Sequence, residues 1–174
     1  YTVFKELDFA TDLADGPATG TGLAAVVQAA AAAERDHVVA CDFATYAPSY
    51  EAPAAFAAVP LFAGERRLGV LAVQLPLTQI SEVMGTRAGL GETGEAYLVG
   101  ADLHMRSDAR NDLEHHAVAT SYRAGDAGTV RTLATEQAFA DQAACREYTN
   151  YAGREVLGAF GRASFLGQSW ALCV

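Results

Sequence analysis

Cysteine and basic residues are scarce in this sequence, and long apolar runs are absent from it. Cys41, Cys145 and Cys173 are odd in number, far apart and without C-x-x-C spacing, which argues against a zinc or redox site. Cys41 and Cys173 lie in apolar, strand-like runs, where cysteine is expected as a small buried hydrophobe. Twelve Lys and Arg against 21 Asp and Glu leave a net charge of -9. Such a surface repels phosphates, so neither a nucleic acid nor an anionic membrane is an expected partner. The nearest approach to a basic cluster, Glu65-Arg66-Arg67, sits at a turn. No stretch reaches the ~18 apolar residues of a membrane span, since GLAAVVQAAAAAER is short and ends in charge. No leader is visible, and the chain does not begin with Met. Tyr1 opens directly on YTVFK and Val174 closes SWALCV. Both ends read as cut, so the chain is expected to be a piece of a larger protein.

Catalytic patterns are missing too. There is no G-x-S-x-G elbow, no Ser/His/Asp motif, and no pair of carboxylates at a catalytic spacing. An enzyme is not expected, although a site assembled only in space remains an alternative. No cofactor is expected. Glu114, His115 and His116 suggest a metal site, but neighbouring residues on a strand point apart and no further ligand has suitable spacing. A solvated loop is the expectation there, with no metal.

What is present describes a globular domain: 51% hydrophobic and 19% charged residues in 174, enough to bury roughly 70% of the unfolded surface. GLGETGEAYLVG, Gly89 to Gly100, contains a G-x-G-x-x-G. A dinucleotide site needs a strand before those glycines and a helix after them. Here the order is reversed: LTQISEVMGTRA is helical in spacing, and EAYLV reads as a strand. Gly89, Gly91 and Gly94 are expected to end a helix and turn the chain into a strand.

Along the chain, YTVFKELDF reads as a strand and ATDLADGPATGTG as a loop. A helix is expected from about Gly22 to Glu34, then a strand HVVACDFATYAP that stops at Pro48. APAAFAAVPLF and LGVLAVQLP, joined by AGERR, form a hairpin, and Pro53 and Pro60 give its first strand an irregular or edge position. After the glycine turn, EAYLVGADLHMRSDAR reads as two strands about Gly100-Ala101-Asp102. NDLEHHAVATSYRAGDAG reads as a long polar stretch and TVRTLATEQAFADQAA as a helix. Strands follow in REYTNYAGREVLGAFGRAS and FLGQSWALCV. Each half is thus strands, helix, strands, ending in an apolar hairpin. The fold class expected is α+β with mainly antiparallel sheets and few helices.

The segments YTVFKELDFATDL, CDFATYAPSYEAPAAFAAVPLFAGERRLGVLAVQLPLTQI and GLGETGEAYLVGADLHMRSDAR resemble the double Cache sensor family, most strongly from Ala40 to Arg110. These are PAS-like extracytoplasmic sensing regions of bacterial chemoreceptors, sensor histidine kinases and membrane-bound cyclases. The resemblance implies two tandem PAS-like (Cache) units, each a mainly antiparallel sheet with flanking helices. Residues 1–87 would be the membrane-distal unit and 91–174 the membrane-proximal one. The long helix and extra strand that open such families are lacking, so the distal unit is expected to be truncated at its N-terminus, with an exposed sheet edge or a pairing to a neighbouring chain. A transmembrane helix is expected soon after Val174, placing the chain in the periplasm as part of an inner-membrane protein and as a homodimer in the full receptor. Amino-acid-binding members carry an Arg and a Trp-Tyr pair, plus an Asp on the last distal strand. No such set occurs between Phe9 and Gly22, and the acidic position falls at Gln74, which is neutral.

The distal candidates for a small-molecule site are Asp42, Tyr46, Ser49, Phe56 and Gln74. Asp42 and Tyr46 share strand parity; Tyr46 supplies a ring and a hydroxyl, Phe56 an apolar wall, and Gln74 lies opposite. The competing reading is a strand-end turn at Tyr46-Ala47-Pro48-Ser49, with Phe56 in the core. A possible second site in the proximal unit comprises Tyr97, Arg106, Ser107 and Asp108, with Arg106 forking onto a carboxylate ligand. A surface pair of Asp108 with Arg106 or Arg110 is the alternative. The function expected is small-molecule sensing, with a conformational change passed towards the membrane. A ligand-free dimerisation spacer is the rival.

Overall fold

A computed structural model describes residues 10–174; the expected strand YTVFKELDF lies outside the described residues. The chain divides into two compact units, one running to Leu75 with the turn Leu166–Gln168, the other comprising 76–165 and 169–174. The architecture is α+β, with antiparallel sheets and few helices.

In the first unit, helix α1 spans Gly22–Ala32. It starts where the Thr21 hydroxyl accepts from the Ala24 amide and thereby satisfies one orphan donor of the first turn. Strands β1 (Val39–Ala40), β4 (Phe56–Ala63) and β5 (Arg66–Gln74) form a sheet in the order β1-β4-β5, while β2 (Ala44–Tyr46) and β3 (Ala52–Ala54) pair separately. The expected hairpin is β4–β5. Its turn has Gly64 at φ +57°, a conformation that glycine adopts without steric cost. Phe56 and Ala58 project towards Val26 and Ala30 of α1, with Tyr46 and Ala54 completing that core. Fully burying a side chain such as Val26 is worth about 1.5–3 kcal/mol. The Arg67 guanidinium reaches back from β5 to donate to the Ala30 and Ala33 carbonyls at 3.0 and 2.7 Å. Arg67, beside the turn, therefore helps cap the C-terminal end of α1, where carbonyls lack intrahelical donors.

Two expectations about this unit change. The strand foreseen across HVVACDFATYAP is broken: β1 pairs with β4 and β2 with β3, and Cys41–Phe43 belong to neither. Asp42 and Tyr46 therefore share no strand, and the parity argument lapses. Of the two positions expected for Pro60, the irregular one is present and the edge one is not: it lies in β4, between β1 and β5, one residue before a register shift at Leu61/Phe62, while Pro53 falls in β3, outside the hairpin. Among the described residues β1 reaches only Ala57 and Ala58, so it does not call on the N–H that Pro60 lacks.

In the second unit, α2 (Leu77–Met84) precedes β6 (Tyr97–Val99). Gly85 caps α2, so the helix ends before the glycine cluster; Gly89 (φ +84°) and Gly91 (φ +64°) then turn the chain towards β6. The polar stretch after Arg110 is helical rather than looped. It holds α3 (Leu113–His116), α4 (Val118–Arg123) and a 3₁₀ turn at Gly125–Gly128, followed by α5 (Leu133–Phe139). Side chains explain these short helices. Asp112 accepts from the His115 amide, and Asp108 accepts from the Val118 amide at 2.8 Å. Strands β7 (Ala144–Thr149), β8 (Glu155–Phe165) and β9 (Gln168–Cys173) complete a four-stranded sheet of order β6-β9-β8-β7. The second strand expected after Gly100 is reduced to a single bridge between Val99 and Met105. The core joins Val99, Met105, Val118, Val130, Ala134 and Phe160.

Candidate functional site

In the first unit, Tyr46 and Phe56 are buried and meet edge to face, with ring centroids 4.9 Å apart. Gln74 pairs with Phe56 across β4 and β5, so both side chains lie on one face of the sheet, and Gln74 is exposed. Those three residues are brought together. Asp42 and Ser49 bracket β2 instead. One Asp42 oxygen accepts from the Phe43 amide at 2.8 Å, and Ser49 ends a 3₁₀ turn spanning Ala47–Ser49. The chain then passes through two left-handed residues, Tyr50 and Glu51. A turn after Tyr46 and a core Phe56 are both present, as the competing reading foresaw.

The proximal candidates divide. Arg106 is 1% exposed and pairs with Asp102 at 2.9 Å, rather than with Asp108. It also donates to the His104 carbonyl at 3.0 Å and lies over the Tyr122 ring. A Cβ at Gly100 would fall 2.0 Å from this guanidinium, so the absence of a side chain there makes room for it. Ser107 and Asp108 bond backbone amides, those of Leu98 and Val118.

Tyr97 alone of that group lines a concave pocket of about 360 Å³. The pocket forms at one end of the sheet, where β6 begins, β7 and β9 finish and β8 starts. Its wall includes Glu95, Tyr97, Asn111, Tyr148, Asn150 and Arg154. Gly158 lets Tyr148 lie close over β8, since a Cβ there would meet the Tyr148 ring at 2.8 Å. Glu95 accepts from the Tyr151 hydroxyl at 2.5 Å and from the Asn111 amide at 3.2 Å. Tyr151 stands edge-on to Tyr97, 5.3 Å between centroids, and tilts against His116 at 4.4 Å. His116 is buried and bonded to Asp112 at 2.8 Å, which corrects the solvated-loop expectation for this segment. No group of His, Cys, Asp and Glu suited to a metal occurs among the described residues.

Burial raises the Tyr97 hydroxyl's pKa well above its ordinary value, with Cys173 and Tyr148 adding to it. Burial likewise raises Tyr151, with the Glu95 hydrogen bond reinforcing the shift, and pushes the Cys173 thiol up to about 12. All three are therefore neutral near pH 7. The Tyr97 hydroxyl is buried and has no hydrogen-bond partner among the described residues. Tyr148 and Cys173 are its polar neighbours, but neither meets it with hydrogen-bond geometry. The pocket residues Glu95, Asn111, Tyr148, Asn150 and Arg154, and Tyr151 behind them, were not foreseen. Their signal was the recurrence of Glu, Tyr and Gly in GETGEAY and REYTNYAGRE, two segments far apart in sequence.

No family model matches the chain, and no curated protein does. Solved structures do. The periplasmic sensory domain of the Campylobacter jejuni chemoreceptor Tlp1 is 16% identical with a TM-score of 0.55, over 85% of this chain and 53% of that one. The ligand-binding domain of the Pseudomonas aeruginosa amino acid chemoreceptor PctC, in complex with GABA, is 18% identical with a TM-score of 0.55, over 94% and 64%. The extracellular domain of a protein described as a histidine kinase is 12% identical with a TM-score of 0.52, over 84% and 52%. The chain thus spans between 52% and 64% of the length of these structures. Its fold is that of the periplasmic and extracellular sensory domains of chemoreceptors and histidine kinases, in keeping with the Cache-type resemblance. Those relatives are sensory rather than catalytic domains. No helix among the described residues is long and apolar enough to cross a membrane.

Proposed function

We propose that this chain is the extracytoplasmic ligand-sensing region of a bacterial transmembrane signalling receptor. Two tandem PAS-like units compose it, residues 1–87 membrane-distal and 91–174 membrane-proximal. A small molecule bound in the distal unit shifts the end near Val174 and passes the change towards the membrane, within a membrane-anchored homodimer. The fold likeness to periplasmic sensory domains carries this reading. Asp42, Tyr46, Ser49, Phe56 and Gln74 form the distal site. The Tyr46–Phe56 ring pair with Gln74 across the strands supports it by placing an apolar wall beside a neutral donor and acceptor. Gln74 carries no charge to hold an ammonium, so this site favours a ligand that both donates and accepts hydrogen bonds.

A thermal-shift screen against carboxylates, amino acids, amines, purines and sugars tests this. Ligand at ~100 times its Kd stabilises by about 2.7 kcal/mol, roughly 5–11 °C for a chain of this size. Because Tyr46 is core as well as candidate site, the informative variants are Tyr46→Phe and Asp42→Asn, which retain shape. Both are expected to weaken binding of the hit. Unchanged affinity in both would remove the distal assignment. A blank screen with a mass that rises with concentration would favour the dimerisation spacer.

A further inference from the structure

The second unit's pocket carries a chemistry independent of whether the first unit takes a ligand. Its volume of about 360 Å³ lies within the roughly 300–1,000 Å³ of small-molecule sites. Glu95 is half-buried, and its two oxygens accept from Tyr151 and Asn111. A carboxylate offers about four lone-pair sites, so acceptor capacity remains. Tyr97 and Tyr148 line the same pocket, and Tyr151 stands against Tyr97. Aromatic faces attract cations and repel anions. Of the charged lining residues, Glu95 alone is half-buried, while Glu155 and Arg154 are both exposed and of opposite sign.

The second observation is the Tyr97 hydroxyl. Tyr97 is 3% exposed, and its hydroxyl has no hydrogen-bond partner among the described residues. A buried polar group left in that state is costly, and a ligand that reaches it removes the cost. The surroundings hold the site in shape: Tyr151 is fixed between Tyr97 and His116, and His116 is tied to Asp112. Such preorganisation lessens the ordering that binding requires.

We propose that this pocket binds a small organic ammonium carrying a second polar group. Glu95 and the tyrosine rings hold the ammonium, and the Tyr97 hydroxyl takes the polar group. Ethanolamine is the probe, and ethylene glycol, which replaces the ammonium with a hydroxyl, is its neutral control. In ¹H–¹⁵N spectra of the whole chain, ethanolamine is expected to cause saturable shifts at Glu95, Tyr97, Asn111, Tyr148 and Asn150, and ethylene glycol none. Glu95→Gln keeps an acceptor for Tyr151 but removes the charge, and is expected to weaken binding about tenfold or more. Tyr97→Phe keeps the ring and is expected to weaken it several-fold. Glu34→Gln, an exposed change in the first unit, leaves it unchanged. Equal binding of ethylene glycol, undiminished binding by Glu95→Gln, or no saturable shift at the pocket amides would overturn the proposal. Shifts confined to the first unit would support the distal reading and contradict this one.

Discussion

In the first unit, β4 and β5 bury Phe56 and Ala58 against α1, while Val38, Leu71 and Val73 are about half exposed. In the second, the buried residues include Arg106, Ser107, Ser121 and Thr135, each held by a directional bond. Arg106 pairs with Asp102, Ser107 accepts from the Leu98 amide, Ser121 from the Met105 amide, and the Thr135 hydroxyl donates to the Val130 carbonyl. Burial of small apolar groups is non-directional and tolerates adjustment. A satisfied polar network fixes one arrangement and penalises departures from it. The second unit is therefore specified by directional bonds between buried groups as well as by apolar burial.

The largest expected effect is Phe56→Ala, about 3–5 kcal/mol from lost burial and the cavity left behind. Hydrogen exchange should then accelerate through α1, β4 and β5 while β6 to β9 keep their protection. Equal acceleration in both units would show that they do not differ as described. Gly100→Ala comes next, since its Cβ would meet the Arg106 guanidinium at 2.0 Å. Overpacking of this kind costs about 1–3 kcal/mol, read as a lower denaturation midpoint. The same change added to Arg106→Ala should cost much less, because the clashing atoms are gone.

A matched pair of helix caps gives a finer comparison. Thr21→Ala and Thr132→Ala each remove an N-cap hydroxyl, at α1 and α5, where about 1 kcal/mol is usual. Thr132 is buried and its hydroxyl also pairs with that of Thr135, so its loss is expected to be the larger in chemical denaturation. The smallest effect concerns acid. The His116 hydrogen bond, followed by bonds from His115, holds the Asp112 carboxyl below its ordinary pKa. A depressed carboxyl stabilises the fold above the usual carboxylate range, and that contribution is lost as pH falls through the lowered value. Asp112→Asn should remove this part of the acid dependence, so that variant and wild type converge as pH drops. Parallel stability–pH curves would exclude it.

The sequence was most legible where local chemistry decides structure. The β4–β5 hairpin showed as two apolar runs around Gly64, and β6 followed the glycine turn as expected. The break at Cys41–Phe43 was hidden because HVVACDFATYAP is uniformly strand-like; which partner each piece pairs with is settled by β4 and β3, later in the chain. The stretch around α3 and α4 looked like a loop because its polar residues, Asp108 and Asp112 above all, serve as caps rather than solvated groups. The basic pair Arg66-Arg67 gave no hint that one guanidinium reaches the end of α1. Of the candidate site, Phe56 and Gln74 could be associated from the hairpin, whereas the pocket around Glu95 joins segments more than fifty residues apart, through Glu95 and Tyr151, beyond the reach of local pattern.

The most direct test of the sensing role is hydrogen exchange of the whole chain with and without the strongest compound from the ligand screen. Slower exchange across residues 39–58 in the bound state is the expected result. Unaltered exchange there with every compound of the panel would contradict a ligand site in the first unit.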